Sequence, residues 1–302
     1  MIAHTLVVKA QEHAAKIILA AFALISVITT FGIIYTLSAE TFAFFSEVSW
    51  KEFFFTSQWS PLLEPRHFGI WPLIAGTFLI TIGAGVIGLP MGILIAIYLN
   101  EFAPKAVAKA VKPIMEILAG VPTIVYGYFA ITVITPFIRS FAPDIAIFNA
   151  LSGAIVVGIM IIPMVSSLCD DAIKGVPKAI TDGGYALGAT KFEIITHITI
   201  PAASSGILAA FILALSRALG ETMAVTLAAG ATPNLTLSFF ESIQTMTAYI
   251  VQVSMGDIPH TSIEYKSIFA VGAVLFVFTF GFNIAANVII KRMRRMWTCE
   301  IS

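Results

Sequence analysis

Charge is what this sequence has least of. Asp, Glu, Lys and Arg make up 11% of its 302 residues, and the 17 basic and 17 acidic side chains cancel. A soluble domain carries about 25% charged residues. With 58% of residues hydrophobic, a globular body in water would expose very large apolar patches, so lipid is the natural solvent. Zero net charge gives no basis for nucleic-acid binding. Two cysteines, Cys169 and Cys299, are too few for a disulfide framework, and neither stands in a CxxC spacing. Histidines at 4, 13, 67, 197 and 260 are scattered without an HExxH pattern, so no metal site is expected. The phosphate-loop pattern G-x-x-x-x-G-K followed by Ser or Thr is missing, so ATP is expected to be hydrolysed elsewhere. No nucleophile–base constellation marks the apolar runs, and nothing points to an intramembrane enzyme.

What is present is a series of long apolar runs. A helix needs about 20 mainly apolar residues to cross a bilayer. Six segments qualify: 17–38, 70–99, 113–138, 149–168, 202–230 and 267–290. They are continuous rather than alternating, which predicts an all-α bundle of six transmembrane helices. The run from Ile17 to Ser38 exceeds the apolar core of a cleaved signal and reads as a first span. With the N-terminus inside, twelve Lys and Arg fall in inner segments: Lys9, Lys16, Lys105, Lys109, Lys112, Lys174, Lys178, Lys191, Lys291, Arg292, Arg294 and Arg295. Only four, Lys51, Arg66, Arg139 and Lys266, fall outside. This asymmetry predicts that both termini are cytoplasmic. The expected division is a cytoplasmic segment 1–16, a first span 17–38, an external segment 39–69, a core 70–290 and a basic tail 291–302.

The segment 39–69 is rich in aromatics, among them Phe44, Phe45, Trp50, Phe53 and Trp59. It reads as an amphipathic stretch at the membrane interface, and it also suits docking of an external partner. Gly88 and Gly92 permit close helix crossing, with Pro90 between them as a candidate kink or hinge. Gly120 and Pro122 make a similar break in the third run. Lys112 and Glu116, four apart, are expected to satisfy each other near its inner end.

The longest inner segment, 169–201, breaks early at Gly175 and Pro177. Ile180 to Ala189 and Lys191 to His197 then read as two short helices, with Gly188 near their junction, where positive φ is useful. Asp182-Gly183-Gly184, Gly188 and Ile198-Thr199-Ile200-Pro201 follow a regular spacing. That spacing resembles the coupling loop of importer-type ABC permeases, E-A-A, three residues, G, nine residues, I-x-L-P. The chain departs from it at Asp182, Gly183, Gly184 and Ile200. The resemblance implies a short helix that docks on a separate ATPase subunit, with Asp182, Gly183, Gly184, Gly188 and Pro201 as its coupling residues. Small residues at 183, 184 and 188 would let a partner backbone approach closely. A passive channel or a membrane-embedded transferase, the rivals from other classes, needs no such element.

The fifth run contains Arg217 and Glu221, four apart and on one face if the helix is continuous. A charge at mid-bilayer is costly and marks a functional position. Two readings stand. The pair neutralises itself for insertion, or Arg217, with its planar fork of donors, serves an oxyanion. Basic-before-acidic is the weaker order for a helical pair. The stretch 217–225, R-A-L-G-E-T-M-A-V, is similar to the signature of C-type permeases of bacterial phosphate importers. Phe68-Gly69-Ile70, Gly76-Thr77, the stretch 118–127 and Thr245-Met246-Thr247-Ala248 point the same way. The resemblance spans about 59–290 and places Arg217, Glu221 and Thr222 on the substrate pathway. It also implies an A-type permease as heterodimer partner, two ATPase subunits using ATP and Mg, and an external phosphate-binding protein, all at a bacterial inner membrane. No cofactor is expected on this chain. A permease for another oxyanion or polar solute is the rival within the class.

Overall fold

The computed structural model describes the backbone of residues 2–299 and the side chains of residues 12–291. Lys9, Arg292, Arg294, Arg295 and Cys299 therefore lie outside the described side chains. The described chain is helical. Its elements are α1 (Ile2–Glu47), α2 (Trp50–Phe55), α3 (Trp71–Ile97), α4 (Lys105–Gly120), α5 (Thr123–Phe129), α6 (Thr135–Arg139), α7 (Ala150–Lys174), α8 (Lys178–Ala186), α9 (Lys191–Ile194), α10 (Ile200–Leu219), α11 (Met223–Ala229), α12 (Met246–Ser254) and α13 (Ile263–Cys299). Five helices are long and apolar enough to cross a membrane.

The third apolar run, 113–138, is broken at Gly120 to Pro122, where the sequence placed a break. α4 and the α5–α6 segment meet at 91°. Pro122 causes the bend: its ring forces Val121 out of helical geometry (φ −65°, ψ 130°). Pro122 has no N–H to offer the Leu118 carbonyl, which accepts the Val121 N–H at 3.3 Å and the Tyr126 hydroxyl at 2.8 Å and so fixes the corner. Counted as one crossing, this bent pair brings the total to six.

α1 and α13 run antiparallel, with Glu47 against Lys266 at 2.5 Å and the Thr41 hydroxyl on the Phe269 carbonyl at 3.1 Å. α3 and α7 run parallel and form the tightest crossing. A Cβ at Gly88 would collide with Ile161 and stand 2.7 Å from the Gly158 carbonyl, and one at Gly92 would stand 2.5 Å from Val165. Small residues are what allow this approach, so Gly88 and Gly92 serve packing. Pro90 sits inside an unbroken helix. Around this crossing the core is built from Ala84, Ala154, Val157, Ile161, Ala214 and Ala218.

Three π-helical turns interrupt the ladder, at Tyr98–Phe102, Ala130–Ile134 and Ile195–Thr199. Each is followed, two residues on, by a proline: Pro104, Pro136 and Pro201. Proline lacks an N–H and its ring presses on the carbonyl four residues back. Widening the preceding turn to i→i+5 bonding moves that carbonyl aside.

The aromatic segment is only partly interfacial. α1 continues to Glu47, past the expected boundary at Ser38, because nothing before Val48 breaks it. Phe44 and Phe53 are fully buried and pack edge-on, joined by Trp59 and Phe68. Tyr249 of α12 closes this small core against Trp59 and bonds Ser267 at 2.5 Å. Burial pushes the Tyr249 phenol above its usual range, so it stays neutral. Phe42 and Phe55 remain exposed on the surface of this cap.

Candidate functional site

The fifth apolar run is not one helix. α10 ends at Leu219, Gly220 caps it (φ −89°, ψ 1°), and α11 starts at Met223. Arg217 and Glu221 therefore do not share a helix face, and the expected i,i+4 pair is corrected. Among the described residues no ion pair joins them. Arg217 is exposed and sits in the last turn of α10. It lies about 24 Å along the helix from Pro201 at 1.5 Å per residue. Glu221 is buried, and its carboxylate accepts the Ala224 N–H at 3.2 Å in the first turn of α11. The order basic-then-acidic, poor within a helix, suits a break. A cation favours the end of one helix and an anion the start of the next.

Thr222 shapes the break. Its hydroxyl donates to the Gly220 carbonyl at 3.0 Å, and its carbonyl accepts the Thr226 hydroxyl at 2.7 Å. Two neighbours hold the broken segment. α5 approaches α11 at Gly127, where a Cβ would stand 3.0 Å from the Ala224 carbonyl. Thr247, just inside α12, donates to the Glu221 carbonyl at 2.8 Å. The sequence signalled Thr247 only through its likeness to a family motif.

Between α7 and α10 only α8 stands as a separate short helix: α9 continues through the π turn into α10 as one helix from Lys191 to Leu219, which corrects the expected second short helix. α7 runs on to Lys174, Gly175 caps it and Pro177 precedes α8. Three glycines there stand in three different settings. Gly188 has φ +82° and open space around it, so conformation requires it. Gly183 is exposed with nothing near. Gly184 is buried inside the loop itself, where a Cβ would stand 2.6 Å from Ile198. Its small size thus serves the loop's own packing and not a partner's approach. Asp182 is exposed, and Pro201 occupies the first turn of α10. Exposed Tyr185, Leu187 and Phe192 surround the Gly188 corner.

The loop is tied to the spans through the π turn that ends α3. Lys191 of α9 donates to the Glu101 carbonyl and lies 4.7 Å over the Phe102 ring. In the same turn Asn100 donates to Asp170 at 3.1 Å. Asp170 also receives Lys112 of α4 at 2.7 Å and Lys174 of α7. The expected Lys112–Glu116 pair is thereby corrected. The bend at Pro122 turns Lys112 onto α7, and Glu116 lines a cavity of about 290 Å³ beside the junction.

With this geometry in hand, residues 88–295 match the family described as "Binding-protein-dependent transport system inner membrane component". The chain belongs to that family. It is therefore an inner-membrane permease component of a transport system and not an enzyme. As such it works with a second permease, a separate ATPase and a substrate-binding protein. Among its relatives is a probable ABC transporter permease protein, YqgH of Bacillus subtilis, 34% identical over 94% of this permease and 92% of that protein. The phosphate transport system permease protein PstC of Mesorhizobium japonicum is 33% identical over 80% of this permease and 78% of that protein. The permease fold is shared with a bacterial alginate ABC transporter (TM-score 0.67, 18% identity, 91% of this permease and 94% of that chain). It is shared also with the MetNI methionine ABC transporter (TM-score 0.56, 18% identity, 74% and 94%).

Proposed function

We propose that this permease forms half of the translocation pathway of an inorganic phosphate importer, with Arg217, Glu221 and Thr222 on the route. The observation that carries this reading is the helix break. It leaves an exposed guanidinium, with no ion pair to Glu221 among the described residues, in the last turn of α10, five residues before Thr222 at the start of a second helix. A planar fork of five donors suits a tetrahedral oxyanion. Kinship supports phosphate in particular, since several relatives 29–33% identical are named phosphate permeases. In this reading the partners are an A-type permease, two ATPase subunits that use ATP and Mg, and an external phosphate-binding protein. Asp182, Gly183, Gly184, Gly188 and Pro201 shape the loop that meets the ATPase.

The deciding experiment is ATP-driven uptake into vesicles that contain the whole complex. Labelled phosphate should accumulate, with sulfate and molybdate at background. Uptake of either rival at the phosphate rate would assign a broader oxyanion permease. The basic end of the bundle is read as cytoplasmic from its Lys and Arg excess. In a variant lacking Cys299, a membrane-impermeant thiol reagent on intact cells should label a cysteine placed at 55 and not one at 191. The reverse pattern would invert the topology.

A further inference from the structure

The broken fifth span is held from outside by a chain of hydroxyls with a defined direction. Glu221 precedes Thr222, the residue that caps α11, so its carbonyl stands outside that helix's ladder and needs a donor from elsewhere. Thr247 supplies it at 2.8 Å. The Thr245 and Thr247 oxygens are 3.0 Å apart. A hydroxyl has one proton to give. Thr247 gives its proton to Glu221, so Thr245 must donate to Thr247. Thr245 in turn accepts the Ala248 N–H at 3.2 Å.

The same segment is fastened to α3. The Thr77 oxygen accepts the Met246 N–H at 3.0 Å, while its proton goes to the Leu73 carbonyl at 2.7 Å. The Gln244 carbonyl lies where a Cβ on Gly76 would be 2.5 Å away, so residues 244–247 rest directly on the α3 backbone. Thr77, Thr245 and Thr247 are all buried. A buried chain in which every proton is assigned has little slack. It transmits the position of α3 to one peptide of the break.

Resting on the pathway reading above, we infer that Thr247 is a positioning residue for the anion route. Through the Glu221 carbonyl it fixes the residue that carries the Glu221 carboxylate, in the break that follows Arg217. Removal of the Thr247 proton leaves that carbonyl without its donor and frees the break to shift. Substrate affinity should suffer more than turnover, because the loop that meets the ATPase lies at the other end of α10.

The test uses the complete reconstituted complex with labelled phosphate and three variants. Thr247→Val keeps the side-chain outline and removes the donor. It should raise KM about tenfold, the scale set by leaving a buried acceptor unsatisfied, with the maximal rate within about twofold of wild type. Thr247→Ser keeps the hydroxyl and should restore KM. Thr245→Val removes only the upstream donor and should raise KM by about threefold; it carries the test if Thr247→Val does not assemble. Backbone hydrogen exchange at 220–224 should quicken in the order Thr247→Val, Thr245→Val, Thr247→Ser. Unchanged exchange in both valine variants overturns the bracket. Faster exchange with unchanged KM overturns the positioning role, as does a serine variant as defective as valine. If Arg217→Gln also leaves KM unchanged, the pathway reading fails separately.

Discussion

Two polar joints tie elements of this permease together, and they are built from opposite chemistry. At the loop end, one carboxylate, Asp170, gathers Lys112, Lys174 and Asn100 from three elements. At the helix break, three neutral hydroxyls, Thr77, Thr245 and Thr247, do the corresponding work. Exposure explains the difference. The lysine side chains are 44% and 49% exposed, so their ammonium groups keep much of their hydration while Asp170 is buried. The threonines are 2–6% exposed. Charge is cheap where water reaches, whereas deep burial favours hydroxyls whose protons can all be placed. Electrostatic joints tolerate some sliding of their partners. Hydrogen-bonded chains do not, because they weaken steeply with misalignment.

The comparison can be broken most directly at Asp170. Asp170→Leu strands two lysines and one amide. It should lower the stability of the assembled complex by about 2 kcal/mol, below the usual range for a fully buried pair because the lysines are half exposed. Thermal denaturation of the purified complex measures this. A loss under about 1 kcal/mol would mean the charged joint is no joint at all.

A smaller effect sharpens the role of the loop. Gly188→Ala meets open space, so its only intrinsic penalty is the left-handed backbone (φ +82°), about 1–2 kcal/mol. Gly188→Asn should recover part of it, since asparagine visits that region more readily. Equal ATPase association and equal uptake for Ala and Asn, both at wild-type level, would show that the corner's conformation does not matter to coupling.

The smallest expected number belongs to Arg217 and Glu221. A double-mutant cycle with Met at both positions should give a stability coupling under about 0.5 kcal/mol, as for residues that do not interact. Phosphate uptake should nevertheless fail in the double variant. A large coupling would restore the ion pair, and robust uptake would return both residues to packing.

Several of these features were legible in the sequence. The six apolar runs correspond to five long helices and one bent pair, with the helix of the fifth run ending at Leu219. Gly175, Pro177 and Gly188 punctuate the loop where turn chemistry said they would. The π turns carry a signal in the sequence, a proline two residues beyond each. It does not suffice alone, because Pro90, Pro113 and Pro163 lie inside uninterrupted α-helices. The break at 220–222 also had a signal, in the unfavourable order of its charges around Gly220. The length of that run, 202–230, suggests tilt or a break as well, but hydropathy does not place it, because a broken helix and a whole one of the same composition score alike.

The sequence by itself determined the solvent, the number of crossings and the family, because these depend on composition, run length and short motifs. Only the tertiary structure decided which polar groups meet. Asp170 finds Lys112 and Asn100 across 58 and 70 residues, and Thr247 finds Glu221 across 26. Local periodicity carries no information about such pairings. They arise when apolar packing brings the helices together, and each buried polar group must then find its partner among whatever the packing has put beside it.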